Sequence, residues 1–296
     1  MCPCRLASAA IRLGMDRGPA GMEVGEARAQ DDGEVAADGV DPRYIVPGLS
    51  RGLALLQLFR RQRPAQTLQE LASGLGVTRS AAYRLVYTLE KDGFILRDPA
   101  TRRYRLTARV LTLGFDYLSS QAVAEVAAPA LQRLSSLTSA AAHLVVLDGW
   151  HVVYLARVAP AVALVSNLQV GTRLPCHLTA SGRALLACEN EVKLRQIYGL
   201  LRQESRDVPP PSSFEALQAQ AKEDAARGHV YRGSILDPGL MTFACVVRDG
   251  AGQAVAAINV IGPDALMERF GGESALRTVV LDAAATISRQ IGFSGN

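Results

Sequence analysis

The segment 67–93 constrains the fold of this 296-residue chain more than any other feature. Thr67, followed three residues later by Glu70, has the spacing of a capping box, in which two side chains satisfy the free backbone amides at a helix start. This spacing predicts a short helix over 68–75. Gly76 follows directly, where glycine can take the positive φ that ends a helix at little cost.

A second helix is predicted immediately after this glycine. Thr78 is a suitable N-cap, and the helix runs to about Asp92 and ends at Gly93. Two helices joined by a tight glycine turn form the helix-turn-helix pattern. The positions where these two helices must touch are all apolar, and they are Leu71, Ala72, Leu75, Val77, Ala82 and Leu85.

The flanking segments predict a winged form of this pattern. Ser50 is predicted to cap a first helix that runs to about Gln62 and stops before Pro64. On the other side, residues 94–97 and the arginine-rich residues 102–106 flank an Asp-Pro turn. That arrangement predicts a small hairpin, the wing.

The charge distribution supports contact between this part of the chain and a polyanion. Residues 43–109 contain 13 basic and 4 acidic side chains, whereas residues 1–42 contain 4 basic and 8 acidic ones. Residues 110–296 contain 15 basic and 16 acidic side chains. A compact basic segment attached to a near-neutral one is typical of a nucleic-acid-binding domain joined to a domain with another task.

The remainder of the chain alternates strand and helix patterns, which favours an α+β domain over a doubly wound fold. Paired strands are predicted at 143–147 with 152–158 and at 242–248 with 255–261, and a further strand at 161–165. The predicted helices are 179–188, 191–200, 214–227 and 273–291. We therefore expect a disordered leader at 1–42, a winged helix-turn-helix domain at 43–106, a linker helix at 107–122 and a sensor domain at 123–296.

Composition excludes several other classes of protein. Apolar residues make up 49% of the chain, enough to bury a core, but no apolar stretch is long enough for a membrane span and no signal peptide is recognisable. The odd number of cysteines, without paired spacing, indicates reduced thiols, so we expect a cytoplasmic protein. No phosphate loop, metal cluster or Ser-His-acid set stands out, and we expect no cofactor and no metal.

The early turns of a helix in the major groove reach base edges, so the first two turns of the second predicted helix are candidates for DNA contact. Arginine can grip guanine with two hydrogen bonds or contact phosphate, and wing arginines are suited to phosphate or the minor groove. Tyr83 could instead pack between helices, and Arg84 could be a surface charge. The candidate DNA-binding residues are Arg51, Thr78, Arg79, Ser80, Tyr83, Arg84, Arg102, Arg103 and Arg105.

Several motifs, in order, resemble the IclR family of transcriptional regulators over roughly residues 44–293. The N-terminal ones are LSRGLALLQLF, LQELASGLGVTRSAAYRLVYTLEKDGFI and RRYRLTARVLTLG. The C-terminal ones are HLVVLDGWHVVYLARV, VGTRLPCHLTASGRALLA and GLMTFACVVRDGAGQAVAAINVIGP. The segments DPRYIVPGLSRGL and GTRLPCHLTASGRALLA are most similar to the PcaR/PcaU/PobR branch, which governs the use of aromatic acids.

The resemblance implies a winged helix-turn-helix, a GAF-like effector-binding domain, and a homodimer or homotetramer on a palindromic operator of double-stranded DNA. It also implies an effector pocket, and matching the family's pocket segments by position gives Leu178, Ala180, Ser181, Gly182, Arg232, Thr242, Asn259 and Ile261. A helix start near Thr179 suits a carboxylate, although Thr179 or Ser181 could simply cap the helix. Arg232 stands where many members have acidic residues, and it favours an anionic ligand unless it pairs with Asp237 or lies at an interface.

The leading hypothesis is therefore a ligand-responsive transcriptional regulator that senses a small carboxylated metabolite, with the linker helix coupling its two domains. Arg157 and His177 are weaker candidates for the ligand site. One alternative is an enzyme acting through Cys176, His177 or Ser181, although neighbours on a strand point to opposite sides. Another is an architectural DNA binder whose C-terminal domain only oligomerises.

Overall fold

The structure is a computed structural model, and it describes residues 42–120, 122–160, 168–204 and 209–295. The expected leader, apart from Pro42, and the expected strand at 161–165 lie outside the described residues.

The N-terminal unit contains three helices and a small antiparallel sheet with strand order β1-β3-β2. Its core is formed by large apolar side chains from the three helices, β2 and β3, among them Leu55, Leu71, Val86 and Ile95. The expected winged helix-turn-helix is confirmed. The elements are α1 (Pro47–Gln57), β1 (Ala65–Gln66), α2 (Leu68–Leu75), α3 (Arg79–Lys91), β2 (Ile95–Arg97) and β3 (Tyr104–Leu106).

The local signals of the helix-turn-helix act as the sequence predicts. The Glu70 carboxylate accepts a hydrogen bond from the Thr67 amide at 2.6 Å, and the Glu70 amide donates to the Thr67 hydroxyl at 3.2 Å. Gly76 ends α2 with a φ of 64°, a left-handed conformation that a side chain would strain. Thr78 caps α3 through the amide of Ala81.

The prediction for the first helix was wrong at both ends. α1 begins at Pro47, whose fixed φ suits the first helical position, and Ser50 lies inside the helix. The helix ends at Gln57 and not near Gln62, because the chain turns into a bridge between Arg60 and Arg63.

The segment expected to be a single linker helix contains the starts of two helices. α4 (Val110–Ser120) follows the wing, and α5 (Ala122–Thr138) begins two residues later. Thr107 does not begin the helix; its hydroxyl donates to the Gly93 carbonyl at 2.5 Å. No helix was predicted over 123–138, yet α5 packs along β4 and α10 of the second unit.

The second unit is a six-stranded antiparallel sheet with strand order β6-β5-β4-β9-β8-β7. Its strands are β4 (Ala141–Asp148), β5 (His151–Val158), β6 (Arg173–Pro175), β7 (Val230–Gly233), β8 (Leu240–Arg248) and β9 (Ala254–Pro263). Its further helices are α6 (Ala180–Leu186), α7 (Glu191–Glu204), α8 (Phe214–Arg227), α9 (Asp264–Phe270) and α10 (Gly272–Gln290).

Alternate side chains of the strands enter two cores, one on each face of the sheet. Leu144 of β4 and Ile258 of β9 pack against α5 and α10, whereas Val145 and Ala257 pack against α6, α7 and α8. The expected α+β fold is confirmed. Among the described residues, no helix combines the length and apolar character needed to cross a membrane.

Candidate DNA-binding surface and effector cavity

The first turns of α3, the wing and the start of α2 surround a concave surface of about 660 Å³. Because α3 is preceded by a capped turn, its N-terminal side chains project into this concavity and away from the core. The surface is lined by Thr67, Leu68, Gln69, Arg79, Ser80, Tyr83, Arg97, Arg102 and Tyr104.

Four of the predicted DNA-binding residues meet on this surface: Arg79, Ser80, Tyr83 and Arg102. Tyr83 is 51% exposed, so it is not the packing residue that was the alternative. Thr78 lies beside them, and its hydroxyl, which caps the helix, is 3.2 Å from that of Ser80.

The tip of the wing is a tight turn organised by one carboxylate. Asp98 accepts hydrogen bonds from the amides of Ala100 and Thr101, at 2.9 and 2.8 Å. Hydrogen bonds from Thr101 are the main cause that lowers the pKa of Asp98 below its usual value. Arg102 then adopts a φ of 57°, which is uncommon for a residue other than glycine. This conformation orients Arg102 at the tip of the wing.

The other wing arginines have different surroundings. Arg103 donates 3.1 Å hydrogen bonds to the Ala65 carbonyl and the Glu70 carboxylate, so it fastens the wing to α2. Arg105 is exposed, on the opposite side of β3 from the buried Tyr104.

Two further candidates lie away from the concave surface. Arg51 and Arg84 line a separate depression between α1, α3 and α4, together with Leu53, Leu85 and Leu113. Arg84 lies in this depression because it is on another side of α3 from Arg79 and Tyr83, and Arg51 lies there because it is on α1.

Sequence reasoning missed Arg97 and Gln69. Arg97 ends β2, and its guanidinium carbon lies 5.7 Å from the centre of the Tyr104 ring. Its place in the predicted wing could have indicated that it lines the DNA-binding surface. Gln69 reaches the surface only because α2 and α3 converge, which the sequence does not specify.

The second site is a cavity between the start of α6 and strands β7, β8 and β9. Seven of the eight predicted effector residues line it: Leu178, Ala180, Ser181, Arg232, Thr242, Asn259 and Ile261. The sequence analysis named Thr179 only as a helix start and Asp237 only as a possible partner of Arg232. It did not identify the other lining residues, which are Tyr154, Leu168, Leu174, Gly233, Ser234 and Leu236. Tyr154 comes from β5, so only the sheet order brings it to the cavity.

Gly182 does not line this cavity. A Cβ built at Gly182 would lie 2.1 Å from the Cys176 carbonyl oxygen, so glycine is needed for the close approach of these two segments. Its amide donates to the Thr179 hydroxyl at 2.9 Å. The sequence predicts that free amides at this helix start bind a carboxylate, but the helix cap already occupies the Gly182 amide.

A buried hydrogen-bond chain fixes the floor of the cavity. The amide nitrogen of Asn259 donates to the Ser181 hydroxyl at 2.6 Å, and its oxygen lies 3.0 Å from Nδ1 of His143. These contacts follow from the sheet register, which places His143 opposite Asn259. Burial lowers the pKa of His143 to about 4, so the ring is neutral at pH 7 and donates from Nδ1 to the Asn259 oxygen.

The charged groups of the cavity are Arg232 and Asp237. No ion pair joins them within the described part of the chain, so the predicted alternative of a structural salt bridge is not seen. Burial is the main factor that lowers the pKa of Arg232. The cavity has room for about 30 Å³, close to a single water molecule, so the structure shows it closed.

The residues of the enzyme alternative do not form a catalytic set. Cys176 is buried, which raises the pKa of its thiol to about 12 and keeps it protonated. His177 contacts the Pro209 carbonyl at 3.2 Å, and Ser181 is engaged by Asn259.

A winged helix-turn-helix with a basic concave face, followed by an α+β domain with a buried polar cavity, defines a DNA-binding regulator that responds to a ligand. Family models match both parts: the IclR helix-turn-helix domain at residues 48–99 and the C-terminal domain of IclR bacterial transcriptional regulators at residues 115–289. The chain belongs to the IclR family of transcriptional regulators.

Characterised relatives resemble the chain over most of its length. It is 34% identical over 255 residues to the Pca regulon regulatory protein of Pseudomonas putida, covering 85% of this chain and 86% of that protein. It is 33% identical over 225 residues to the p-hydroxybenzoate hydroxylase transcriptional activator of Acinetobacter baylyi, covering 72% and 80%. The crystal structure of an IclR transcriptional regulator from Alicyclobacillus acidocaldarius has a TM-score of 0.67 at 25% identity, covering 84% of this chain and 100% of that one.

Proposed function

We propose that this regulator senses a small aromatic carboxylate and adjusts its affinity for a palindromic operator accordingly. The convergence of seven predicted residues, among them Arg232, on one cavity carries this proposal. The Arg232 guanidinium can form two parallel hydrogen bonds to a carboxylate, while Leu178 and Ile261 can contact an apolar ring.

The relatives support the choice of ligand class. One 33% identical relative is named as the activator for p-hydroxybenzoate hydroxylase, an enzyme named for an aromatic acid. We place the protein in the cytoplasm, where a bacterial operator is found, and we assign it no catalytic role.

The closed cavity supports a ligand-linked change of shape. Ligand pockets usually offer about 300–1,000 Å³, far more than the space between α6 and the sheet. Binding therefore requires a second arrangement in which Leu236 and its neighbours move outward. A ligand that binds only this open arrangement shifts the population toward it. We propose that α4 and α5, which lead from the wing to the sensor domain, transmit this change to the DNA-binding surface.

Isothermal titration with 4-hydroxybenzoate tests the effector site. Replacement of Arg232 by alanine removes a charge-assisted contact worth about 1.5–3 kcal/mol, so we expect affinity to fall at least about tenfold. Arg227→Ala is the matched control, because Arg227 forms an exposed ion pair with Glu223 on α8. Equal affinity for the wild-type protein and Arg232→Ala would remove Arg232 from the site.

The DNA-binding surface is tested by comparing specific and random duplexes. We propose that Arg79 reads a base, so Arg79→Ala should cost about 1–3 kcal/mol on the target and much less on random DNA. We propose that Arg102 contacts the backbone, so Arg102→Ala should weaken both alike and reduce the salt slope by about 1. Equal losses on both duplexes for Arg79→Ala would refute base reading.

The predicted dimer has a candidate surface on α1 and α4. Leu49, Leu53, Leu111 and Leu113 are between 51% and 72% exposed in the single chain. Large exposed apolar patches usually mark protein interfaces. We propose that a second copy covers this face and that the pair reads two operator half-sites.

Light scattering on Leu111→Ser tests the dimer surface, with Val192→Ser on α7 as a control of similar exposure. We expect the Leu111 variant to lower the molar mass in solution, whereas the control keeps it. Equal masses for the two variants would place the interface elsewhere.

A further inference from the structure

A second cavity of about 270 Å³ lies between α6, α8 and the segment 209–212, separate from the closed effector cavity. Its volume is close to the lower end for ligand pockets, about 300 Å³. Five of its lining residues are apolar and six are polar or charged. It is lined by His177, Arg183, Leu186, Pro211, Ser212, Ala216, Leu217, Gln220, Ala221, Asp224 and Arg232.

The charges in this wall do not balance. Arg183 and Asp224 form a buried ion pair with two hydrogen bonds, at 2.8 and 2.6 Å, so their charges cancel. Arg232 contacts only the neighbouring Gly233 carbonyl, at 3.3 Å, among the bonds between described residues. Burial and the nearby charge of Arg183 lower the pKa of Arg232, and the opposing charge of Asp224 only partly offsets them. The positive charge of Arg232 is therefore incompletely compensated here.

His177 adds an unsatisfied polar atom to this wall. The Pro209 carbonyl can only accept, so Nε2 of His177 donates to it at 3.2 Å. Burial lowers the pKa of His177, so the ring is neutral and Nδ1 is an acceptor. This buried Nδ1 has no partner among the described residues. As an acceptor it can take a hydrogen bond from a hydroxyl or amide of a ligand, but not from a carboxylate.

We propose that this second cavity binds a small organic carboxylate with an apolar body, through the Arg232 guanidinium. The Arg183 and Asp224 side chains are paired with each other, so they do not bind the ligand carboxylate. Leu186 and Leu217 contact the apolar part of the ligand. The second cavity shares Arg232 with the effector cavity of the proposed function, so this guanidinium holds a carboxylate in one cavity at a time. The other residues that contact the ligand differ between the two cavities.

Because Arg232 lines both cavities, a variant that touches only the second one is needed. Ala216 lies on the exposed side of α8 and lines only the second cavity, so Ala216→Phe fills this space with little strain. Ala219→Phe is the matched control, because Ala219 is also exposed on α8 but does not line the cavity.

The probe is 4-bromobenzoate, whose bromine marks each bound molecule by anomalous scattering in crystals of the full chain. We expect a bromine peak in the second cavity of the wild-type protein and of Ala219→Phe, and none there in Ala216→Phe. Calorimetry should show weaker binding of 4-bromobenzoate to Ala216→Phe than to Ala219→Phe. Unfolding curves of the two variants confirm that both are folded.

The pattern of peaks distinguishes this proposal from the proposed function. A peak in the effector cavity alone overturns the second site and leaves the effector site intact. A peak in the second cavity alone supports the second site and argues against the effector assignment. A second-cavity peak that persists in Ala216→Phe overturns the assignment to these residues.

Discussion

The buried His143 predicts a specific loss of stability in acid. Its ring is inaccessible to solvent, and burial, together with the charge of Arg157, lowers its pKa to about 4. In the unfolded chain the pKa returns to about 6.5. The unfolded state therefore takes up the proton first as pH falls, so the fold loses stability between pH 6.5 and 4 and loses no more from this group below that range.

The size of this loss follows from the difference between the two pKa values. One pKa unit corresponds to about 1.4 kcal/mol, so His143 should contribute on the order of 3 kcal/mol that is present at pH 7 and absent at pH 4. His143→Gln removes the titration but can still donate a hydrogen bond to Asn259. Both proteins contain the same carboxylates, so the difference between their free energies of unfolding removes the contribution of carboxylates that titrate over the same range.

Urea unfolding at a series of pH values measures this difference. Trp150 is the only tryptophan, and it lies in the turn between β4 and β5, so its fluorescence reports on the sensor domain. We expect the wild-type free energy of unfolding to fall on the order of 3 kcal/mol more than that of His143→Gln between pH 7 and pH 4. Parallel curves would show that His143 is not buried in its neutral form.

Three substitutions test the packing around the sites, each measured by chemical unfolding. Asp224→Ala leaves Arg183 unpaired and should cost about 3–5 kcal/mol, whereas a cost under about 1 kcal/mol would contradict a buried pair. Gly182→Ala forces a clash with the Cys176 carbonyl and should cost about 1–3 kcal/mol or more, so an unchanged midpoint would show that these segments do not meet. Thr67→Ala removes the cap of α2 and should cost about 1 kcal/mol, and no loss would argue against the cap.

The sequence predicts elements well where local chemistry decides them. The capping box at Thr67 and the glycine at 76 specify α2 within a residue, and Ser213 and Gly228 do the same for α8. α1 was misplaced because Ser50 is also an acceptable cap, and only the pairing of Arg60 with Arg63 shows where the helix stops.

Tertiary packing decides the parts that the sequence did not predict. α5 contains Pro129 in its middle, which masks its helical pattern, and it is held by burial of Ala127 and Leu131 against the sheet. Tyr154 joins the effector cavity only because β5 lies two strands from β9. Seven of the predicted effector residues nevertheless line this cavity, because the resemblance supplied positions that periodicity alone does not.

We propose that one chain couples recognition of a DNA sequence to binding of a small carboxylate. The most direct test titrates the protein onto duplexes from upstream of its own gene, at moderate salt, with and without 4-hydroxybenzoate and other small carboxylates. We expect one duplex to bind at least about 10³-fold tighter than random DNA, and one carboxylate to change that affinity by about 5–150-fold. Equal affinity for every duplex, unaffected by any of the carboxylates, would contradict the account.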